Sequence, residues 1–519
     1  VYMTFEIVFV LLSLLGMMAA LIADKMRPGM VLFSVVVLFL CVGILTPKEM
    51  LEGFSNKGMI TVALLFLVSE GIRQSGTLGQ VIKKLLPQGK TTVFKAQLRI
   101  LPSVAFISAF LNNTPVVVIF APIIKHWAKS VKLPATKFLI PLSYVTILGG
   151  ICTLIGTSTN LVVHGMILEA GYEGFTMFEL GKVGIFIAIA GIIYLFIFSK
   201  RLLPDARPDT AVPDEEVEEG EKLHRVEAVL GARFPGINKK LSDFNFQRHY
   251  GAEVKEIKTR NGQRYVDHLE DVVLREGDTL VVMADDTFIP TWGESSVFVL
   301  LTNGNDPDTS GKKKRWLALI LLVLMIVGAT VGELPATKEM FPDIKLDMFF
   351  FVCITTIIMA WTNIFPARKY TKYISWDILI TIACAFAISK AMVNSGVADC
   401  VAGFIIGLSD DYGPHVLLAI LFVITNLFTE LITNNAAAAL AFPLALSISA
   451  QLGVSPTPFF VVICMAASAS FSTPIGYQTN LIVQGIGNYK FTDFVRIGLP
   501  LNIITFLISV ILIPLIWNF

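Results

Sequence analysis

The chain has few charged residues outside its centre. Only 16% of its 519 residues are Asp, Glu, Lys or Arg, whereas soluble domains carry about a quarter. About half of these charges lie between Lys200 and Arg315, and 54% of all residues are hydrophobic, with a mean hydropathy of +0.70. This composition excludes a soluble enzyme and a disordered chain. It predicts a polytopic α-helical membrane protein interrupted by one water-soluble insert.

Three further features are missing. The formal net charge is +1, which provides no bulk attraction to nucleic acid. The six cysteines show no CxxC spacing and lie in or beside apolar runs, so they are interpreted as small buried hydrophobes. No basic segment precedes the first apolar run, which is therefore expected to be a membrane span and not a cleaved signal.

Apolar runs of spanning length predict ten membrane crossings. They lie near residues 5–23, 29–45, 59–72, 138–168, 183–203, 316–332, 347–361, 376–392, 458–488 and 496–517. Two other stretches, 100–124 and 415–450, have polar centres and flanks of matching character, and are predicted to be re-entrant hairpins. Most Lys and Arg residues outside the insert then lie on one side, which the positive-inside rule makes cytoplasmic. The insert is expected in the cytoplasm and both termini outside.

The two apolar halves resemble each other at an offset of about 320 residues. SEGIRQSG (69–76) corresponds to SKAMVNSG (389–396), LNNTPVVVIFAP (111–122) to TNNAAAALAFP (433–443), and STNLVVHG (158–165) to QTNLIVQG (478–485). Each half is predicted to have five crossings and one re-entrant hairpin. Because five is odd, the second half would be inserted upside down, and inverted repeats are typical of secondary transporters.

Each half also contains a predicted helix break. Segments 149–160 and 470–480 interrupt apolar runs with Gly, Ser, Thr, Pro and Asn. Irregular backbone at bilayer depth is tolerated only where it is buried in protein or lines a cavity. Helix N-termini at a break attract anions, and its carbonyls and hydroxyls suit Na⁺. The small residues could instead serve helix packing, but two symmetric breaks with two symmetric hairpin tips favour a binding site.

With these motifs the chain resembles the divalent anion:sodium symporter family of the ion transporter superfamily. NNTP (112–115), TNNA (433–436), GTSTN (156–160) and TPIGYQTN (473–480) carry the resemblance, which covers essentially the whole chain. It implies a homodimer in the plasma (inner) membrane that transports a small divalent anion with Na⁺ by an elevator-type movement. The family has Ser-Asn-Thr at each hairpin tip. Here Asn112 replaces the first Ser, and the second tip, aligned as Asn434-Asn435-Ala436, lacks both hydroxyls, which favours sulfate over dicarboxylate.

The resemblance also assigns site residues. It implies anion contacts at both tips and after both breaks, from Asn112, Asn113, Thr114, Thr159, Asn160, Asn434, Asn435, Thr479 and Asn480. It implies one Na⁺ site at Ser108, Asn112, Asn113, Gly156 and Thr157, and another at Thr429, Asn435, Thr473 and Gly476. Because no Arg or Lys lies in these motifs, co-bound cations would balance the anion. Glu430 is a coupling candidate, and bracing of the second tip is its alternative role.

The charged insert lies between a first membrane repeat, 1–203, and a second, 316–519. It is predicted to comprise an acidic linker, 204–222, a small α+β domain, 223–298, and a second linker, 299–315. PGINKKL (235–241) and REGDTL (275–280) resemble a single TrkA-C (RCK-C) domain, of the branch that includes sulfate permeases. The resemblance implies dimer contacts or a small regulatory ligand at this domain. No covalently bound cofactor is expected.

Other functions remain open at this stage. Na⁺/H⁺ antiport and arsenite export occur in the same superfamily. An RCK-regulated ion channel or a membrane sensor would suit the insert, but the paired hairpins and breaks oppose both. Segment TPIGY (473–477) has neither the pore helix nor the fourfold symmetry of a potassium filter. An enzyme is least favoured, because the sequence shows no nucleophile–base set and no His/Cys metal cluster.

Overall fold

The structure is a computed structural model of the full chain. It describes residues 4–23, 25–87, 89–205, 224–231, 233–259, 263–285, 288, 292, 297–302, 312–341, 343–407 and 413–519. Most of the predicted first linker, at 206–222, and part of the second, at 303–311, lie outside these residues.

The part of the chain before the insert is mainly helical. Its helices are α1 (Phe5–Ala23), α2 (Pro28–Val42), α3 (Pro47–Glu52), α4 (Lys57–Gln74), α5 (Thr77–Leu85), α6 (Val93–Ser108), α7 (Asn113–Ser130), α8 (Leu139–Gly150), α9 (Ser158–Glu169) and α10 (Gly181–Leu202). Local capping sets several boundaries. Gly43 ends α2 with a φ of 82°, and Thr46 begins α3 with a capping box to Glu49.

The part after the insert is helical as well. Its helices are α12 (Lys312–Gly332), α13 (Pro335–Met340), α14 (Met348–Trp361), α15 (Tyr370–Tyr373), α16 (Trp376–Asn394), α17 (Val397–Gly407), α18 (Gly413–Leu431), α19 (Asn434–Leu452), α20 (Thr457–Ser468), α21 (Gln478–Gly487) and α22 (Phe491–Ile516). Helix α11 belongs to the insert.

Both predicted hairpins are pairs of helices joined by a short turn. The first turn separates α6 from α7, and the second separates α18 from α19. Both predicted breaks are also present, at residues 151–157 between α8 and α9 and at residues 469–477 between α20 and α21. The order of hairpin, broken helix and long helix therefore occurs in each half.

The helices have the length and composition of a membrane protein. By these criteria alone, eight helical segments of the described chain could cross a membrane: Phe5–Ala23, Pro47–Gln74, Gly181–Leu202, Lys313–Gly332, Trp376–Asn394, Gly413–Leu431, Asn434–Leu452 and Phe491–Ile516. Both arms of the second hairpin meet the criteria, so length alone does not separate a crossing from a hairpin arm. The predicted crossings at 29–45 and 347–361 correspond to the shorter helices α2 and α14. The chain is a polytopic helical membrane protein.

The motif-bearing helices form the most buried part of the molecule. Helix α8 buries every one of its residues, and α20 is buried from Pro458 to Ser468. In contrast, α1 exposes Leu12 and Leu15, and α12 exposes Leu324 and Val327. Exposed apolar stripes of this kind suit contact with lipid, whereas the polar motifs lie inside the protein.

The insert folds as a small α+β unit. Strands β1 (His224–Leu230), β2 (Glu253–Lys258), β3 (Arg264–Tyr265), β4 (Thr279–Ala284) and β5 (Phe298–Thr302) form an antiparallel sheet in the order β3-β2-β4-β1-β5, with α11 (Phe246–Tyr250) between β1 and β2. The sheet covers its own apolar core, which includes Phe234, Phe246 and Leu280. Strand β5 continues past residue 298, the predicted domain end, because it pairs with β1.

The insert contacts the helical part at several points. Lys125 of α7 forms a salt bridge with Glu227 of β1. Gly277, just before β4, lies against Leu481 of α21. Arg233 donates to the Ile374 carbonyl, just before α16, with a distance of 3.0 Å. The insert therefore touches both motif-bearing helices and helices outside the motifs.

Candidate functional site

The first hairpin tip is organised by a buried amide. Asn113, the first residue of α7, is fully buried, and its Oδ1 accepts a hydrogen bond from Ser108 Oγ at 2.7 Å. Its Nδ2 donates to the Tyr477 hydroxyl at 2.6 Å. Thr114 Oγ1, at the surface of the tip, donates to Gln478 Oε1 at 3.2 Å. The first tip is thus bonded to the second break.

The first break is a tight turn that packs against this tip. Thr153 Oγ1 donates to the Ala109 carbonyl and accepts from the Gly156 amide at 3.2 Å. A Cβ at Gly156 would lie 2.5 Å from the Gly150 carbonyl oxygen, so only glycine fits where the chain folds back on itself. A Cβ at Gly150 would lie 2.7 Å from Asn113 Oδ1. The break and the tip are therefore in close contact.

The second hairpin tip contacts both breaks. Thr429 Oγ1 donates to the Ala467 carbonyl at 2.6 Å and lies 3.3 Å from Asn434 Oδ1. Asn435 Oδ1 accepts hydrogen bonds from Ser158 Oγ at 3.3 Å and from Thr159 Oγ1 at 3.2 Å. Each tip is therefore bonded to the break of its own half and to the break of the other half.

The second break repeats the hydrogen bonds of the first. The Gly476 amide donates to Thr473 Oγ1 at 3.3 Å, as Gly156 does to Thr153. Asn480 Nδ2 donates to the Thr473 carbonyl at 3.1 Å, and Asn160 Nδ2 donates to the Thr153 carbonyl at 2.9 Å. These equivalent bonds close both turns in the same way, which supports the sequence correspondence at an offset of 320 residues.

Three predicted anion contacts use their polar groups to support the breaks. Asn160 and Asn480 spend their amide N–H groups on break carbonyls. Ser143 Oγ, on α8, contacts Thr479 Oγ1 at 2.9 Å and Asn480 Oδ1 at 2.7 Å. By contrast, the fully buried Asn160 Oδ1 has no hydrogen-bond partner among the described residues. It is an oxygen available to a cation in the first half.

Glu430 braces the second break. Its Oε1 accepts from the Ser472 amide at 2.9 Å and from Asn502 Nδ2 at 2.7 Å. Thr473 Oγ1 donates to the Glu430 carbonyl at 3.1 Å. These bonds connect α18, the second break and α22. The bracing role that sequence reasoning offered as an alternative is thus present in the geometry, and a coupling role stays a prediction.

The two tips correspond at an offset of 321 residues, which changes one prediction. Asn113 and Asn434 each begin a helix, and each pairs with a hydroxyl five residues earlier, from Ser108 and Thr429. Pro122 and Pro443, within α7 and α19, keep the same offset. The second triplet is therefore Thr433-Asn434-Asn435. The expectation that this tip lacks hydroxyls is wrong, because Thr433 stands where the first tip has Asn112.

Thr433 adds a polar group that sequence reasoning missed. Its Oγ1 is buried, and no described residue forms a hydrogen bond with it. The equivalent Asn112 lines a pocket together with Ser158, while Val62 of α4 and Met325 of α12 form part of the opposite wall. The aligned prolines would have revealed the shift, because they, unlike the Asn pairs, cannot be matched in two registers. Tyr477 was missed too, although it lies within the quoted TPIGYQTN motif.

The chemistry of the site is that of neutral oxygen ligands. Across the described residues, no group of three or more His, Cys, Asp or Glu side chains is placed to hold a metal ion. The four motifs instead bring together amides, hydroxyls and backbone carbonyls, which suit Na⁺ better than transition metals. They also place the first residues of four helices, α7, α9, α19 and α21, at one junction. Helix N-termini favour negative charge.

Comparison with known proteins places the chain among transporters. The family model described as citrate transporter (CitMHS) matches residues 18–448 and 340–519. An uncharacterised transporter of Synechocystis sp. is 29% identical, and the match covers 93% of each chain. Sodium/sulfate cotransporter 2 of Chlamydomonas reinhardtii is 30% identical over 54% of this chain and 31% of its own length.

A third relative is more distant. The sodium-dependent dicarboxylate transporter SdcS of Staphylococcus saprophyticus is 25% identical, over 28% of each chain. These relatives agree with the resemblance to divalent anion:sodium symporters that the motifs indicate, while the TrkA-C assignment of the insert stays a prediction. With a family model that matches nearly its whole length, the chain belongs to the citrate transporter (CitMHS) family and is a membrane transporter.

Proposed function

We propose that this protein is a Na⁺-coupled symporter of a small divalent anion, with sulfate favoured and dicarboxylate next. The observation that carries the proposal is the meeting of two hairpin tips and two helix breaks, each tip bonded to both breaks. Relatives named as a sodium/sulfate cotransporter and a sodium-dependent dicarboxylate transporter support it.

The electrostatics of the junction favour a bound anion. Four helices begin there, at Asn113, Ser158, Asn434 and Gln478. Each helix N-terminus carries roughly half a positive charge, so together they attract a divalent anion without a basic side chain. The four motifs contain no Arg or Lys. Co-bound Na⁺ would supply the remaining positive charge, which makes anion binding depend on Na⁺.

Each half offers oxygen ligands for one cation. In the first half these are Ser108, Asn112, Asn113, Gly156 and Thr157, and Asn160 Oδ1 joins them because it is buried and without a partner among the described residues. In the second half they are Thr429, Thr473, Gly476 and Asn434. We assign Asn434 and not Asn435 to this cation, because Asn434 is equivalent to Asn113. Asn435 faces the first break, where it would contact the anion with Thr114 and Thr433.

The wider architecture is part of the same proposal. The two halves would be inverted repeats, and the motif-bearing helices would move as an elevator against the remaining helices. The apolar wall from Val62 and Met325 beside the first tip supports such sliding, because it makes no directional bonds. The insert would be cytoplasmic. Its contacts at Lys25, Lys125 and Ile374 all lie on the side that the positive-inside rule makes cytoplasmic.

The insert is also assigned a role in dimerisation or regulation. As a TrkA-C-like domain it would mediate contacts in a homodimer or bind a small ligand. A cleft lined by Tyr265, His268 and Arg275 is the place to look for such a ligand. Deletion of residues 210–305 tests both roles. If transport rate and oligomer size are unaltered by the deletion, both roles fail.

The transport proposal is tested with purified protein in liposomes. Uptake of labelled sulfate, succinate and citrate is measured with an inward Na⁺ gradient and, as a control, with K⁺ in its place. We expect saturable sulfate uptake that requires Na⁺, weaker succinate uptake, and none in the matched variants Asn113→Ala and Asn434→Ala. Proton release driven by Na⁺ without anion uptake would instead support a Na⁺/H⁺ antiporter, arsenite movement an exporter, and ohmic current without coupling a channel.

A further inference from the structure

Tyr477 lies where the two halves of the site meet. It directly precedes α21, with φ −134° and ψ 131°. Thr157 directly precedes α9 with nearly the same backbone, φ −138° and ψ 145°. The two residues are equivalent at the offset of 320 residues, and the Tyr477 hydroxyl lies 3.0 Å from Thr157 Oγ1. Two equivalent side chains therefore touch each other across the site, although they belong to different halves.

The longer tyrosine side chain also reaches the first tip. Its hydroxyl accepts a hydrogen bond from Asn113 Nδ2 at 2.6 Å, while Ser108 holds the opposite end of that amide at 2.7 Å. Asn113 is fully buried and Tyr477 is 8% exposed. A buried amide N–H that loses its acceptor pays the cost of desolvation without return. The orientation of Asn113 therefore depends on a hydroxyl that the second half supplies.

We propose that Tyr477 is a positioning residue that couples the cation site of the first half to the second break. This inference rests on the proposed function, in which Asn113 Oδ1 and Thr157 are ligands of one cation. A cation at Oδ1 polarises the amide and strengthens the donation from Nδ2 to Tyr477. Tyr477 adjoins Gly476 in the loop that holds the other cation. Each cation therefore stabilises the geometry that the other requires, and by linkage the effect is reciprocal.

The test is Tyr477→Phe, which keeps the buried ring and removes only the hydroxyl. Uptake of the anion that the wild type transports is measured over a range of Na⁺ concentrations. We expect the half-saturating Na⁺ concentration to rise about tenfold, equivalent to about 1.4 kcal/mol, and the Hill coefficient for Na⁺ to fall towards one. Tyr194→Phe is the matched control, because this hydroxyl donates to the Ile497 carbonyl at 3.0 Å, between α10 and α22. Its Na⁺ curve should equal that of the wild type.

A second variant covers a failure of Tyr477→Phe to fold. Incorporation of 3-fluorotyrosine at position 477 keeps the ring and the hydroxyl but makes the oxygen a weaker acceptor, so the half-saturating Na⁺ concentration should rise by a smaller factor. An unchanged half-saturation and Hill coefficient, or a lower maximal uptake with the same Na⁺ curve, overturns the inference alone. A wild type whose uptake ignores Na⁺ contradicts the proposed function, and the inference falls with it.

Discussion

Lys125 of α7 and Glu227 of β1 form a salt bridge, with Nζ 3.0 Å from Oε2, that joins the first hairpin to the insert. Lys258 Nζ lies 3.6 Å from Glu227 Oε1 on the insert side. Burial alone would raise the pKa of Glu227, but Lys125 and Lys258 outweigh it and lower that pKa from 4.5 to about 2. The carboxylate is therefore charged at neutral pH and held between two cations.

The first prediction concerns the pH dependence of this contact. Because the pKa of Glu227 is lowered in the folded protein, its stabilising effect is complete above about pH 4.5 and is lost as the pH falls towards 2. Glu227→Gln should remove roughly 3 kcal/mol from the docking of the insert at pH 7. Hydrogen exchange of peptides that cover β1 and the end of α7 measures this loss.

The control for Glu227 is an exposed pair in the same sheet. Lys255 Nζ lies 2.8 Å from Glu253 Oε1, with both side chains more than half exposed. Such pairs contribute at most about 1 kcal/mol, so Glu253→Gln should leave exchange nearly unchanged. If the two variants exchange alike at pH 7, the salt bridge with Lys125 does not hold the insert.

A second prediction separates the two roles of Glu430. Glu430→Gln keeps one oxygen that can accept from the Ser472 amide or from Asn502, so bracing predicts folded protein whose uptake has the pH profile of the wild type. Glu430→Ala leaves both donors unpaired, which costs about 1–3 kcal/mol for each. It should lower the melting temperature in detergent and most of the uptake. Loss of both Na⁺ and pH dependence in Glu430→Gln would favour the coupling role.

The third prediction concerns the two glycines in the breaks. A Cβ at Gly156 would lie 2.5 Å from the Gly150 carbonyl oxygen, and one at Gly476 would collide with Ser470 Oγ and the Thr429 carbonyl. The chain would have to open at the cation ligands. Gly156→Ala and Gly476→Ala should therefore each lower uptake at least about tenfold, as expected for overpacking that costs about 1–3 kcal/mol at the site.

Gly16 provides the matched control for these substitutions. It lies in α1, where a Cβ would meet no atom within 4 Å. Uptake by Gly16→Ala, normalised to the amount of protein in the membrane, should equal that of the wild type. Normal uptake by Gly156→Ala or Gly476→Ala would mean that the breaks tolerate a wider turn than the structure has.

The fourth prediction concerns Thr433. Its hydroxyl has no hydrogen-bond partner in the described part of the chain, so Thr433→Val should not lower the melting temperature of the ligand-free protein. If the hydroxyl contacts the anion, its loss should raise the KM for the anion about five- to tenfold, since one hydrogen bond to a charged group is worth about 1.5 kcal/mol or more. The kcat should change less. A lower melting temperature with an unchanged KM would assign Thr433 to folding instead.

Much of the fold follows from local patterns. Apolar runs locate the long helices, and the Gly-, Ser- and Asn-rich interruptions locate both hairpin turns and both breaks, because these residues disfavour a continuous helix. The first strand, the short helix and the strands at 253–258 and 279–284 in the insert also follow from composition and turn residues. Strands β3 and β5 do not, because the first has two residues and the second is defined by its pairing with β1.

Parts of the candidate site required three dimensions. The repeated motifs identify Asn113, Asn434 and Gly476, but the two Asn pairs can be aligned in two registers that differ by one residue. The helix starts and the Ser108 and Thr429 contacts decide between them. Sequence also marks Asn480 as an anion contact, whereas the structure shows it supporting the second break.

The sequence by itself determines that this is a duplicated membrane protein with a charged insert and neutral polar motifs, because hydropathy, charge and repetition are properties of the chain. Only the tertiary structure decides which motifs touch. The Asn113–Tyr477 bond joins residues 364 positions apart, and Lys125 meets Glu227 across 102. Such pairs depend on how helices pack and on the reach of individual side chains, and neither spacing nor composition encodes that locally.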